Sequence, residues 1–140
     1  MECYLSQNGL LLSKEGNRVI CSNTMDIWKY DLEEGTIQHK GTIHKGTIHK
    51  GTIHKGTIHK DTQEYLSLKY NGWMPKRSNI ECNTKEEKEP LLWEYNNKEL
   101  ITTINQRQYR LCLDQNNNVI LQEKQYNQKL MTTKWEINYV

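Results

Sequence analysis

Three segments of the chain carry one hydrophobic pattern: Ile27-Trp28-Lys29-Tyr30, Leu92-Trp93-Glu94-Tyr95 and Lys134-Trp135-Glu136-Ile137. In each, a tryptophan is followed by a charged residue and then by an aromatic or aliphatic one. Alternation at period two is the mark of a strand with one buried face. A leucine triplet precedes each tryptophan by 23–28 residues: Tyr4-Leu5-Ser6, Tyr65-Leu66-Ser67 and Cys112-Leu113-Asp114. Two of the tryptophans are followed by a further aliphatic stretch, Gly35-Thr36-Ile37 and Glu99-Leu100-Ile101. Asn8-Gly9, Glu15-Gly16-Asn17, Asn71-Gly72, Asn96-Asn97 and Asn116-Asn117-Asn118 punctuate these runs. Asn and Gly supply the positive φ that tight hairpins require. Short strands at regular spacing with such turns predict an all-β domain.

The spacing of the tryptophans is uneven until one tract is set aside. Gly41 to Lys60 is four copies of Gly-Thr-Ile-His-Lys, after an imperfect seed, Gly35-Thr-Ile-Gln-His-Lys40. Without those 20 residues, Trp28 and Trp93 are 45 apart, against 42 for Trp93 and Trp135. Three similar units of about 40 residues then fill the remaining 120 residues, and a threefold all-β body predicts a β-trefoil. The expected layout is one domain over 1–140. Its first lobe spans about 1–40, the repeat insertion 41–60, its second lobe about 61–105 and its third about 106–140. Trp28, Trp93, Trp135, Leu5, Leu66 and Leu113 are the expected structural core of the lobes.

The tract also divides the charge. The whole chain is +2, with 19 basic and 17 acidic side chains; removing four tract lysines leaves 15 against 17, a body of −2. All five histidines (39, 44, 49, 54 and 59) fall in the tract or its seed, so the body is expected to hold none. Gly at every fifth position and β-branched Thr-Ile pairs disfavour a helix there. In an extended chain the odd period puts successive histidines on opposite faces, so same-side imidazoles recur about 33 Å apart, too far for one metal site. A protruding, partly ordered arm is expected. Its lysines, joined by histidines below about pH 6, suit polyanions by charge alone. It has no aromatic residue for specific nucleic-acid recognition.

Aliphatic runs reach only three residues, as at Leu10–Leu12, far short of the ~20 that span a bilayer, so no transmembrane segment is expected. No charged and apolar regions open the chain in the manner of a signal peptide.

The units resemble the ricin-B-type (R-type) lectin repeat, which runs Cys-Leu-Asp, a strand ending in Cys-Asn, Gln-x-Trp, then a Gly-x-Ile strand. The residues that carry the likeness are Cys112-Leu113-Asp114, Tyr4-Leu5-Ser6, Cys21, Cys82 and Trp-Lys-Tyr-Asp-Leu-Glu-Glu-Gly-Thr-Ile from Trp28. Leu-Leu-Trp-Glu-Tyr, followed by Tyr109-Arg-Leu-Cys-Leu-Asp, is most similar to the cysteine-rich domain of the mannose-receptor family. The resemblance implies a β-trefoil, a carbohydrate-binding role, a Cys3–Cys21 disulfide within the first lobe, and an extracellular or receptor-ectodomain setting. It leaves Cys82 and Cys112 without their expected mates, so a cross-lobe bond between them and two buried thiols are the alternatives. Where the repeat has the Gln of Gln-x-Trp, this chain has Asp26, Leu91 and Thr133.

A body without histidine lacks the usual general base near neutral pH, so no enzyme is expected. No cofactor and no metal site is expected either. A sugar site needs a flat aromatic face with a few planar or carboxylate groups to fix the hydroxyls. The third lobe offers Asp114, at the family's hydroxyl-accepting position, with Asn116, Asn117, Gln122, Tyr126 and Asn127. In the second, Trp73 beside Asn71-Gly72 is a candidate stacking platform. Glycans, sulfated or acidic ones included, are the expected partners. The alternatives are a protein-interaction trefoil with decayed sugar sites and polyanion binding through the arm.

Overall fold

The computed structural model describes residues 2–43, 48–49, 52–53, 63–69, 77–124 and 132–140. Those residues form strands and turns without a helix, and the structure is all-β. The strands are β1 (Glu2–Gln7), β2 (Leu10–Glu15), β3 (Arg18–Ser22), β4 (Met25–Tyr30), β5 (Ile37–Ile43), β6 (Ile48–His49) and β7 (Thr52–Ile53). They continue with β8 (Glu64–Leu68), β9 (Arg77–Thr84), β10 (Trp93–Asn96), β11 (Glu99–Ile104), β12 (Arg107–Leu113), β13 (Val119–Glu123) and β14 (Glu136–Tyr139). Twelve belong to one antiparallel sheet, while β6 and β7 pair only with each other, Ile48 opposite Ile53.

The pairing repeats three times. β1–β2–β3, β5–β8–β9 and β11–β12–β13 are each an antiparallel run of three. The next strand in the chain (β4, β10 or β14) pairs with the strand that opens another set: β4 with β5, β10 with β11, and β14 with β1. The repeat tract therefore leaves the sheet from the end of β5, inside the second set, and the sheet resumes at β8.

Turn chemistry sets the registers. Asn8 and Gly9 both hold positive φ (52° and 77°) between β1 and β2, as a two-residue hairpin turn demands. Asn97 and Lys98 (53° and 64°) do the same between β10 and β11, and Asn105 and Gln106 (51° and 68°) between β11 and β12. The last pair carries no glycine, and the punctuation of the sequence does not mark it. Asn71-Gly72 lies outside the described residues.

The inward faces meet in one core. Trp28 and Trp135 are fully buried, and Trp93, Leu5, Leu66 and Leu113 join them with Leu12 and Leu111. Two of the indoles are tied to the strand beneath. Trp28 Nε1 donates to the Leu12 carbonyl at 3.0 Å, and Trp135 Nε1 to the Leu111 carbonyl at 2.8 Å. In the second set the corresponding carbonyl, that of Leu66, accepts the Leu91 N–H at 2.9 Å instead. Trp93 Nε1 is buried and finds no acceptor among the described residues. Tyrosines two residues past the tryptophans link the sets: Tyr30 donates its hydroxyl to the Trp93 carbonyl (3.0 Å) and Tyr95 to that of Trp135 (2.6 Å).

All four cysteines are free thiols. The Cys3–Cys21 bond implied by the lectin resemblance is not formed in this structure. Burial pushes Cys3 up to about 11 and Cys21 up to about 12, and it raises Cys82 as well.

Candidate functional site

Two places gather chemistry-bearing side chains. The first is the hairpin between β12 and β13. Asp114 follows β12 directly, and its short carboxylate folds back on the turn. Oδ1 accepts the N–H of Asn116 at 2.8 Å and of Asn118 at 2.9 Å, and Oδ2 accepts Asn118 Nδ2 at 3.2 Å. The Asp114 carbonyl also accepts the Asn117 N–H at 3.0 Å, with Asn117 at positive φ. Aspartate suits this place because its carboxylate reaches backbone N–H groups two residues on. The result is a half-buried, rigidly oriented carboxylate beside the exposed Asn116 and Asn117.

The chain returns to this hairpin after β13. Leu113 and Thr132 exchange backbone hydrogen bonds, 3.0 Å each way, so Thr132 sits against the residue before Asp114. Gln7, buried at the end of β1, holds that return. Its Nε2 donates to the carbonyls of Thr132 (3.2 Å) and Lys134 (2.8 Å), and the Thr132 hydroxyl donates to its Oε1.

The structure thus brings Asp114, Asn116 and Asn117 together. Gln122 lies apart from them on β13, buried and opposite Arg110. Tyr126, Asn127 and Trp73 lie outside the described residues.

The second place is a buried polar cluster where β2, β4, β5 and β8 meet. It corrects the expectation of a histidine-free body. His39, from the seed that precedes the tract, belongs to β5: it is 4% exposed, with Nε2 2.7 Å from Asp26 Oδ2 on the neighbouring strand. The pair sits beside a β-bulge between Ile27 and Trp28, and the Trp28 indole meets the imidazole edge-on at 4.9 Å. Asp26 Oδ2 also accepts the Lys14 N–H at 2.8 Å, and the Lys14 ammonium pairs with Glu64 Oε2 at 2.9 Å. Glu64 stands opposite His39 across β5 and β8.

Asp26 has no exposed surface. A substrate cannot touch it while the domain is folded. The Cys82 thiol is buried and held protonated by desolvation, so it is no nucleophile. The cluster works as an internal tie between strands, since buried charges persist only when paired and hydrogen-bonded. Seed and repeat read alike in sequence, Ile-Gln-His-Lys beside Ile-His-Lys. The one usable signal for His39 is Asp26, which puts a carboxylate two residues before Trp28 where the lectin repeat has glutamine.

Among the described residues no three His, Cys, Asp or Glu side chains converge to hold a metal ion, and no helix is long and apolar enough to cross a membrane. Comparison of the chain with protein-family models, with curated proteins and with solved structures found no match.

Proposed function

We propose that this chain is a non-catalytic carbohydrate-binding module, a β-trefoil of the R-type lectin kind that holds its sugar mainly through the Asp114 hairpin. The observation that carries the reading is the Asp114 carboxylate: half-exposed, oriented by two backbone N–H donors, and placed where the chain returns at Thr132. A preoriented carboxylate accepts hydrogen bonds from a pair of sugar hydroxyls without losing much side-chain freedom on binding. Support for the trefoil comes from the three equivalent strand runs and from the two indole-to-carbonyl ties, Trp28 to Leu12 and Trp135 to Leu111. Tyr126 and Asn127, from the stretch between β13 and Thr132, complete the proposed site, with Trp73 as a second platform.

A glycan array that includes sulfated and acidic sugars tests this. The wild-type chain should bind a defined glycan class, and Asp114→Asn should lose at least about tenfold in affinity, worth about 1.4 kcal/mol. An array blank for the folded wild type, or unchanged binding by Asp114→Asn, overturns the site. A second reading draws on Gln122, buried away from the hairpin, and on the missing Gln of Gln-x-Trp. It is a protein-binding trefoil whose sugar sites have decayed. A blank array combined with retention of one specific protein partner distinguishes it.

A further inference from the structure

We infer that the core holds one structural water beside Trp93, bridging the indole nitrogen of Trp93 and the hydroxyl of Thr102. Nothing in this site depends on sugar binding.

Each core tryptophan faces one residue of the strand beside it. Trp28 is paired with His39 and Trp93 with Thr102. The β1–β14 register, continued by one residue, puts Trp135 opposite Gln7. All three partners are polar and all are buried: His39 is 4% exposed, Gln7 4% and Thr102 1%. Directly opposed side chains stand on the same face of a sheet, with Cβ atoms about 4.5–5.5 Å apart. In the first pair the two rings meet edge-on, their centroids 4.9 Å apart. The Thr102 hydroxyl stands in the same way beside the Trp93 ring.

Two of the three pairs are bonded entirely within the protein. Gln7 Nε2 reaches the carbonyls of Thr132 and Lys134, in the segment that enters β14. His39 reaches Asp26, two residues before Trp28. The tryptophans of these pairs donate to the Leu111 and Leu12 carbonyls.

The Trp93 pair differs in three ways at once. Threonine is too short to reach the entering segment as glutamine and histidine do. That segment has Leu91 where the Trp28 segment has Asp26, so it offers no polar side chain at that place. The Leu66 carbonyl, equivalent to those of Leu12 and Leu111, takes the Leu91 N–H instead of the indole. As a result Trp93 Nε1 and Thr102 Oγ1 are both buried, and neither has a hydrogen-bond partner among the described residues. The two orphaned atoms belong to one cross-strand pair.

A buried polar atom left unbonded bears its full desolvation cost, so two such neighbours call for a shared partner. Water fits their chemistry. An indole N–H only donates, whereas a hydroxyl both donates and accepts. One water accepts from Nε1 and bonds Oγ1 in either sense. Its third bond goes to the Leu66 carbonyl, whose second lone pair remains beside the Leu91 N–H; internal waters make about three bonds. Room comes from threonine itself, smaller than the histidine or glutamine of the other pairs. An ion does not suit the place, because neither group is charged and an unpaired buried charge is far costlier. A broken water bridge returns its water to bulk, so the Trp93 nitrogen is worth less than the directly bonded ones.

Crystal structures of the full-length wild type, Thr102→Ser and Thr102→Val test this. The wild type should show an ordered water within about 3.2 Å of both Trp93 Nε1 and Thr102 Oγ1. Thr102→Ser keeps the hydroxyl and should keep the water. Thr102→Val keeps the shape without the hydroxyl and should lose it. The wild-type density decides occupancy even where the valine variant fails to fold. No ordered water between the two atoms, an indole nitrogen bonded directly to a protein acceptor, or a water unchanged in Thr102→Val would each overturn the site.

Discussion

His39 Nε2 and Asp26 Oδ2 are 2.7 Å apart, both side chains buried, beside the bulge between Ile27 and Trp28. The imidazole and the Lys14 N–H both reach Oδ2, while Oδ1 is buried with no partner among the described residues. Removing one partner strands the other. His39→Ala should therefore destabilise the domain by about 3–5 kcal/mol, while the paired change Asp26→Leu/His39→Leu should recover much of that loss. Urea denaturation of the single and double variants checks both. Equal losses for the two would show that the pair is not a unit.

The three tryptophans should not be equivalent when their indole nitrogens are removed. Trp28→Phe and Trp135→Phe each break a buried hydrogen bond and leave the Leu12 or Leu111 carbonyl short of a donor. Trp93→Phe breaks none, because Trp93 Nε1 has no acceptor among the described residues. The ring-size loss is common to all three. We expect Trp93→Phe to be milder by about 1 kcal/mol, measured by denaturant midpoint at constant slope.

Glu81 gives a pH dependence with a definite sign. Burial raises its pKa, but Lys88 Nζ at 2.8 Å and Asn83 Nδ2 at 3.0 Å outweigh that, and the carboxyl is held below its usual range. A group depressed in the folded state contributes stability above its unfolded pKa and loses it as pH falls through the folded value. Glu81→Gln should therefore cost about 1 kcal/mol at neutral pH, and that cost should shrink as the pH falls through the folded value. Thermal unfolding of wild type and variant from pH 7 to pH 3 should show the two curves converging. Curves that stay parallel would place the effect elsewhere.

Thiol reactivity follows from burial. With Cys3 pushed up to about 11 and Cys21 up to about 12, neither offers much thiolate near pH 8. Cys82 and Cys112 are buried. An aromatic disulfide reagent should label the native protein slowly and label all four cysteines at once in urea. Recovery of only two thiols in urea from native material would show that one disulfide forms where the protein works, and peptide mapping would then test the Cys3–Cys21 pairing.

Of the turn glycines Gly9, Gly16 and Gly35, only Gly35 would bring an added Cβ against its neighbours. Its φ is 84°, and a Cβ would lie 3.3 Å from the Trp93 carbonyl oxygen. Gly35→Ala should cost about 1–3 kcal/mol through backbone strain and loosening of that junction.

Much of the fold is legible in the amino-acid sequence. The tryptophan alternation marks β4, β10 and the lead into β14, and Asn-Gly marks the first hairpin, because strand period and positive φ are local properties of the chain. The leucine triplets align less well. Leu66 and Leu113 belong to second strands of their sets, whereas Leu5 belongs to a first strand, and the residue that plays the part of Leu66 there is Leu12. An apolar residue in a strand looks the same whichever neighbour it packs on. For the candidate site, Asp114 and its Asn run can be read as a turn with an exposed carboxylate, but burial of Gln122 cannot.

By itself the sequence determined the all-β class, the short strands, the separate character of the repeat tract and the division of charge between tract and body. These follow from side-chain period, backbone preference and simple counting, which need no partner strand. Only the tertiary structure decided that His39 joins Asp26 inside the sheet, and that Trp28 and Trp135 tie their indoles to strand carbonyls while Trp93 Nε1 finds no acceptor among the described residues. Each of those depends on which distant strand comes alongside, and pairing between residues far apart in the chain is settled by packing of the whole domain, not by any local pattern.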